Sequence, residues 1–80
     1  MEINIRNVLG PRIKFYRTRL GISQEYLAAR LNVQGIEIDR TILSRIENQQ
    51  IELYDYEIYA IANALGLDII ELVKDIIINK

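Results

Sequence analysis

Residues 22–48 read ISQEYLAARLNVQGIEIDRTILSRIEN. Ser23 is a good helix N-cap, because its hydroxyl can accept a hydrogen bond from a free first-turn N–H. Leu27, Ala28 and Leu31 then recur at helical spacing and form an inner face. A loop over residues 32–38 contains Gly35. Asp39 is a second N-cap and opens a helix to about Glu47, with Leu43 and Ile46 facing inward. Asn48, Gln49 and Gln50 break it. Two short helices therefore flank an extended connection.

The same signals recur on both sides. Upstream, Leu9, Ile13, Tyr16 and Leu20 form one stripe of a helix over residues 8–20. Pro11 is tolerated there because first-turn N–H groups have no helical partner. Gly21 ends the helix by adopting a left-handed conformation cheaply. Downstream, Asp55 is expected to cap a helix over residues 56–65, with Ile58, Ile61, Ala62 and Leu65 inward and Gly66 as terminator. Asp68 and Glu71 have the spacing of a capping box for a fifth helix reaching about Ile77. The β-branched runs 36–38 and 76–78 compete as strands, but both are too short and isolated to build a sheet. The expected fold is all-α: a compact five-helix bundle forming a single domain over residues 1–80.

Half of the 80 residues are hydrophobic and none is cysteine or histidine. Neither a disulfide nor a thiolate metal site can staple the chain, so packed aliphatic side chains must hold it together. No nucleophile with an adjacent base and no glycine-rich phosphate loop is present, which argues against an enzyme. No cofactor or metal is expected. No apolar run approaches the ~18 residues of a membrane span. Residues 1–4 lack the basic-then-apolar plan of a signal peptide. The expectation is a soluble, cytoplasmic protein. The formal charge is −1, but it is divided unevenly. Residues 1–46 carry eight basic side chains against four acidic, and residues 47–80 carry two against seven. Such a map lets one side meet phosphate, although ordinary surface charge explains it almost as well.

The two helices around residues 28–39 suggest a helix-turn-helix. The segment Ile22-Ser23-Gln24-Glu25-Tyr26-Leu27-Ala28, followed by Leu43-Ser44-Arg45-Ile46-Glu47-Asn48, resembles the phage-repressor and xenobiotic-response-element (Cro/CI-like) family. Residues 9–17 before it and 61–67 after it match the same family in order, so the resemblance covers about residues 7–73. It implies a lambda-repressor-like domain whose third helix enters the major groove of double-stranded DNA, where each base pair shows a distinct donor and acceptor pattern. By that resemblance Arg40, Thr41, Ser44 and Arg45 contact bases. Gln24 and Asn48 contact the DNA backbone, and Gln24 also braces the start of the reading helix. Arg17 and Glu47 form a partly buried structural ion pair. Solvated helix charge is the plain alternative for Arg40 and Arg45, and a simple first-turn role for Gln24.

Three features depart from the family pattern. The connection between the second and third helices carries about five extra residues, Gln34, Gly35, Ile36, Glu37 and Ile38. One or both of the isoleucines should tuck against the domain. Gln49 stands where the family commonly has glycine. Phe15 lies off the main stripe of the first helix, where a local packing role is the simplest reading. In the C-terminal helix Ile69, Leu72, Val73 and Ile76 can face the core, leaving Ile70 and Ile77 as a second stripe suited to a homodimer interface. The implied function is a transcriptional repressor on a palindromic operator. The competing function is a protein-interaction module, such as an antitoxin or regulatory subunit, on the same fold.

Overall fold

The computed structural model describes residues 5–76. Among the described residues the chain forms five helices and no strand: α1 (Gly10–Arg19), α2 (Gln24–Val33), α3 (Arg40–Glu47), α4 (Asp55–Ala64) and α5 (Ile69–Val73). Their starts follow local chemistry. Ser23 Oγ accepts from the Tyr26 N–H at 3.0 Å, and Asp39 Oδ1 accepts from the Ile42 N–H at 2.8 Å. Gly21, Gly35 and Gly66 all have positive φ, as the helix ends and the loop require.

All five helices feed one core. Ile13 from α1, Leu27 and Leu31 from α2, Leu43 and Ile46 from α3, Ile61 from α4 and Leu72 from α5 are essentially sealed from solvent. The α1 stripe differs from expectation at one position: Leu20 is exposed, and Arg17 takes an inner place. Helix α1 ends at Arg19, so Leu20 lies beyond the last turn that packs inward. Gly10 lets α1 cross α3 at close range. A Cβ there would stand 2.3 Å from the Ile46 carbonyl oxygen and 2.8 Å from that of Glu47.

The N-cap of α4 is Tyr54 rather than Asp55, which becomes the first helical residue. The Glu57 carboxylate accepts from the Tyr54 N–H at 2.9 Å, so an acidic side chain still neutralises this helix start. Helix α5 is shorter than its apolar pattern suggests. It stops at Val73, Lys74 is extended, and Asp75 turns left-handed with φ 63°. Asp68 makes no side-chain cap; Glu71 instead pairs with Lys74 at 3.1 Å. The Arg12 guanidinium donates to the carbonyls of Leu72 and Lys74, satisfying the end of α5 from across the bundle. Of the expected inner face, Leu72 is buried, Ile69 and Ile76 are partly buried, and Val73 is exposed. Ile70 is exposed, and Ile77 lies outside the described residues.

The extra residues between α2 and α3 form a tethered arch. Ile38 is buried and Ile36 packs partly against the core. Asn32 Nδ2 donates to the Ile36 carbonyl at 2.7 Å, and Gln34 Nε2 donates to the Ala60 carbonyl on α4 at 2.8 Å. The arch is thus fixed at both limbs and delivers Asp39 to a defined point. No described helix is long and apolar enough to cross a membrane.

Candidate nucleic-acid interface

Helix α3 divides cleanly into two faces. Leu43, Ile46 and Glu47 are buried. Arg40, Thr41 and Arg45 are exposed, and Ser44 is half-buried beside them. Positions 40, 41, 44 and 45 lie together on one side of a helix, because residues three and four apart are neighbours. The result is a short polar edge with two guanidinium groups, one hydroxyl near the helix start and one in its second turn. Asn48 is exposed at the C-cap of α3.

A buried polar network holds this helix to the rest of the domain. Arg17 Nε donates to Glu47 Oε2 at 2.6 Å, and its terminal nitrogen donates to Oε1 at 3.0 Å, a two-pronged pairing. A further Arg17 nitrogen donates to the Ile22 carbonyl at 2.9 Å, just before α2. Gln24 Nε2 donates to Glu47 Oε1 at 3.0 Å. The Gln24 side chain therefore braces the end of α3, not its start; the start is held by Asp39 and the arch. One carboxylate joins α1, α2 and α3, and none of the fully buried side-chain polar atoms among the described residues lacks a hydrogen-bond partner.

The basic half of the sequence is less available to a ligand than its composition suggests. Four of its eight cations are engaged within the protein. Arg6 pairs with Glu52, Arg12 holds the end of α5, Arg17 binds Glu47, and Arg30 donates to the Ala64 carbonyl at 2.7 Å. Arg30 also lies over the Tyr26 ring at 4.7 Å. Arg19 sits 5.7 Å above the Phe15 ring, which is itself edge-on to Tyr16. Lys14, Arg40 and Arg45 make no ion pair or side-chain hydrogen bond among the described residues. The Arg6 guanidinium holds the Glu52 carboxyl below its ordinary value. That exposed pair therefore favours the folded state above the carboxyl's ordinary range, and the benefit fades as pH falls through its lowered value.

Two groups around α3 are invisible to helical periodicity. Asn7 lies just before α1 and reaches the far end of α3, where its Nδ2 donates to the Ile46 carbonyl at 3.1 Å and the Ile51 carbonyl at 2.8 Å. Its Oδ1 accepts from the Gly10 N–H at 2.7 Å, satisfying a first-turn N–H of α1 from ahead of its N-cap, Leu9. Gln49 adopts φ 63°, the conformation for which the family's glycine is suited, and its side chain donates to the Asn7 carbonyl at 3.1 Å. That added hydrogen bond helps offset the strain of placing a side chain in the left-handed region. No described group of three His, Cys, Asp or Glu side chains is arranged to hold a metal ion.

Two packed helices joined by an arch, the second showing a polar edge outward, define a helix-turn-helix domain. The family model described as helix-turn-helix matches residues 13–72, and the chain belongs to that family, the Cro/CI-type DNA-binding regulators also called the xenobiotic-response-element family. No curated protein and no solved structure matches the chain.

Proposed function

We propose that the protein is a sequence-specific transcriptional repressor that reads the major groove with α3. The observation carrying this reading is the exposed edge of Arg40, Thr41, Ser44 and Arg45 on a helix whose other side is locked by Leu43, Ile46 and Glu47. A rigid helix with free guanidinium groups suits base recognition, because bidentate hydrogen bonds to guanine tolerate little displacement. Arg40 donates to guanine O6 and N7, Thr41 and Ser44 offer hydroxyls, and Arg45 reaches a base or a phosphate. Ser23 occupies the Tyr26 N–H, leaving the first N–H groups of α2, beside Gln24, for a phosphate. Asn48 takes another phosphate. These contacts set register rather than sequence. Bound across a promoter, the domain represses by occupying it.

Selection of bound duplexes from a random DNA pool tests this directly. A defined consensus is expected. Arg40→Ala should weaken binding to that consensus by about 1–3 kcal/mol while leaving random-sequence binding nearly unchanged. Equal loss on both duplexes would remove Arg40 from base reading.

The operator is palindromic in this proposal, with two copies of the chain meeting through α5. Ile70 is 66% exposed and Val73 37% exposed on the solvent side of that helix. A two-fold pair would set the reading helices about 34 Å apart, one turn of DNA. Ile70→Asp should shift the protein toward monomer in sedimentation and weaken binding to the full palindrome, with half-site binding preserved. An unchanged sedimentation profile at all concentrations would exclude α5 as the contact.

A further inference from the structure

Asn7 bonds to both sides of the α1–α3 crossing. Its carboxamide oxygen accepts from the Gly10 N–H at the start of α1, and its nitrogen holds the Ile46 and Ile51 carbonyls, at the end of α3 and in the segment leading to α4. The lacing continues on the backbone. The Arg6 N–H donates to the Gln49 carbonyl at 3.1 Å, and Gln49 Nε2 returns a bond to the Asn7 carbonyl. The same Ile46 oxygen is the atom against which Gly10 is packed without room for a Cβ. The C-terminal end of α3 is thus seated at a fixed depth on α1.

We propose that Asn7 is a positioning residue for DNA recognition: through the Ile46 and Ile51 carbonyls it sets the tilt of α3, and thereby where Arg40 and Thr41 stand against the bases. The inference rests on the reading of α3 as the groove-entering helix. Helix α3 has eight residues and is about 12 Å long, so a tilt at its C-terminal end is carried to its N-terminal end. Side-chain hydrogen bonds to bases fail over a few tenths of an ångström, whereas phosphate attraction does not. Releasing the Asn7 donors should therefore weaken discrimination between sequences more than it weakens attraction to DNA.

Asn7→Asp tests this cleanly. Aspartate keeps the oxygen that accepts from the Gly10 N–H and replaces the donors to the Ile46 and Ile51 carbonyls by a carboxylate oxygen that repels them. Asn7→Ser, a smaller change, serves as the second variant. Each is compared with the parent at 10 °C on a duplex recovered by selection and on a random duplex, per folded molecule, with thermal melting measured alongside. The expected result is a fall of about tenfold in the ratio of selected to random binding, comparable to one lost base contact, with the salt dependence of random binding unchanged. A ratio within about twofold of the parent in a folded variant overturns the proposal, since a purely stabilising role moves the melting temperature and not the ratio. If Asn7→Asp does not fold, Asn7→Ser decides; if neither folds, Asn7 serves stability alone and the proposal is overturned. Arg40→Ala in the same assay separates the two readings. If it leaves the ratio unchanged, α3 is not the reading helix; if it lowers the ratio while the Asn7 variants do not, only the role of Asn7 is wrong.

Discussion

Replacing Glu47 by alanine should lower stability by about 3–5 kcal/mol, because the Arg17 guanidinium would then be left charged and buried with no counter-charge. Arg17 and Glu47 are each less than a tenth exposed, and no other carboxylate contacts Arg17 among the described residues. A chain of this size has total stability of roughly 4–12 kcal/mol. The loss is therefore large enough to leave a substantial unfolded population near physiological temperature. Replacing both partners with apolar residues, Arg17→Met with Glu47→Leu, should restore much of the loss, since the cost lies mainly in the stranded charge and not in the absent attraction. The cycle is read from urea unfolding midpoints. If Glu47→Ala falls by less than about 1 kcal/mol, the pair is weaker than its burial implies and water must reach Arg17. Gln24 adds a second signature. Its amide loses an acceptor in Glu47→Ala, so Gln24→Ala should be less damaging in that background than in the parent.

Gly10→Ala should have the next largest effect. The added methyl would sit 2.3 Å from the Ile46 oxygen and 2.8 Å from the Glu47 oxygen, both backbone atoms that cannot rotate aside. Relief requires α1 and α3 to separate, and overpacking of this kind commonly costs about 1–3 kcal/mol or somewhat more. Alanine reduces the freedom of the unfolded chain, but that gain is only about 0.4–1 kcal/mol. Because both close atoms are backbone, the cost falls at the upper end of that range, and the net effect is destabilising by about 2 kcal/mol. Gly21→Ala gives the contrast, because nothing lies within 4 Å of a Cβ there and only the positive φ is strained; its cost should be about 1–2 kcal/mol. A Gly10→Ala protein with the parent's urea midpoint would mean that the helices cross less tightly than described.

Much of this architecture is readable from residues 8–66 because helix starts and stops are local. Ser23 and Asp39 cap α2 and α3 through bonds three residues long, and Gly21 and Gly66 end helices by their own backbone freedom. The failures occur where local signals compete with distant ones. Asp68 and Glu71 have the spacing of a capping box, yet Glu71 is drawn to Lys74. The apolar run after Ile69 reads as a longer helix, yet α5 ends where Arg12, some sixty residues earlier, takes its carbonyls. Leu20 follows the apolar period but lies past the end of α1, while Arg17 is buried against a residue thirty positions away. Gln24 and Asn7 have the same character: each reaches a distant partner on α3, and no spacing rule connects them. The polar edge of α3 was legible because the inward Leu43 and Ile46 follow from one helix's period and Arg40, Thr41, Ser44 and Arg45 from the family resemblance. The seating of that helix was not, because it depends on carbonyl groups, which look alike at every position in a sequence.

The pairing of Arg6, Arg12, Arg17 and Arg30 with other groups of the protein bears on how a DNA-binding regulator meets its target. Each phosphate neutralised by a basic side chain releases counterions, and the steepness of the salt response counts those neutralisations. With four of its eight N-terminal cations paired to other groups of the protein, the domain has fewer left over for indiscriminate attachment. On the proposed reading it would then linger only briefly on DNA of unrelated sequence, so that most copies remain in free exchange and a small number of molecules can keep a single address occupied.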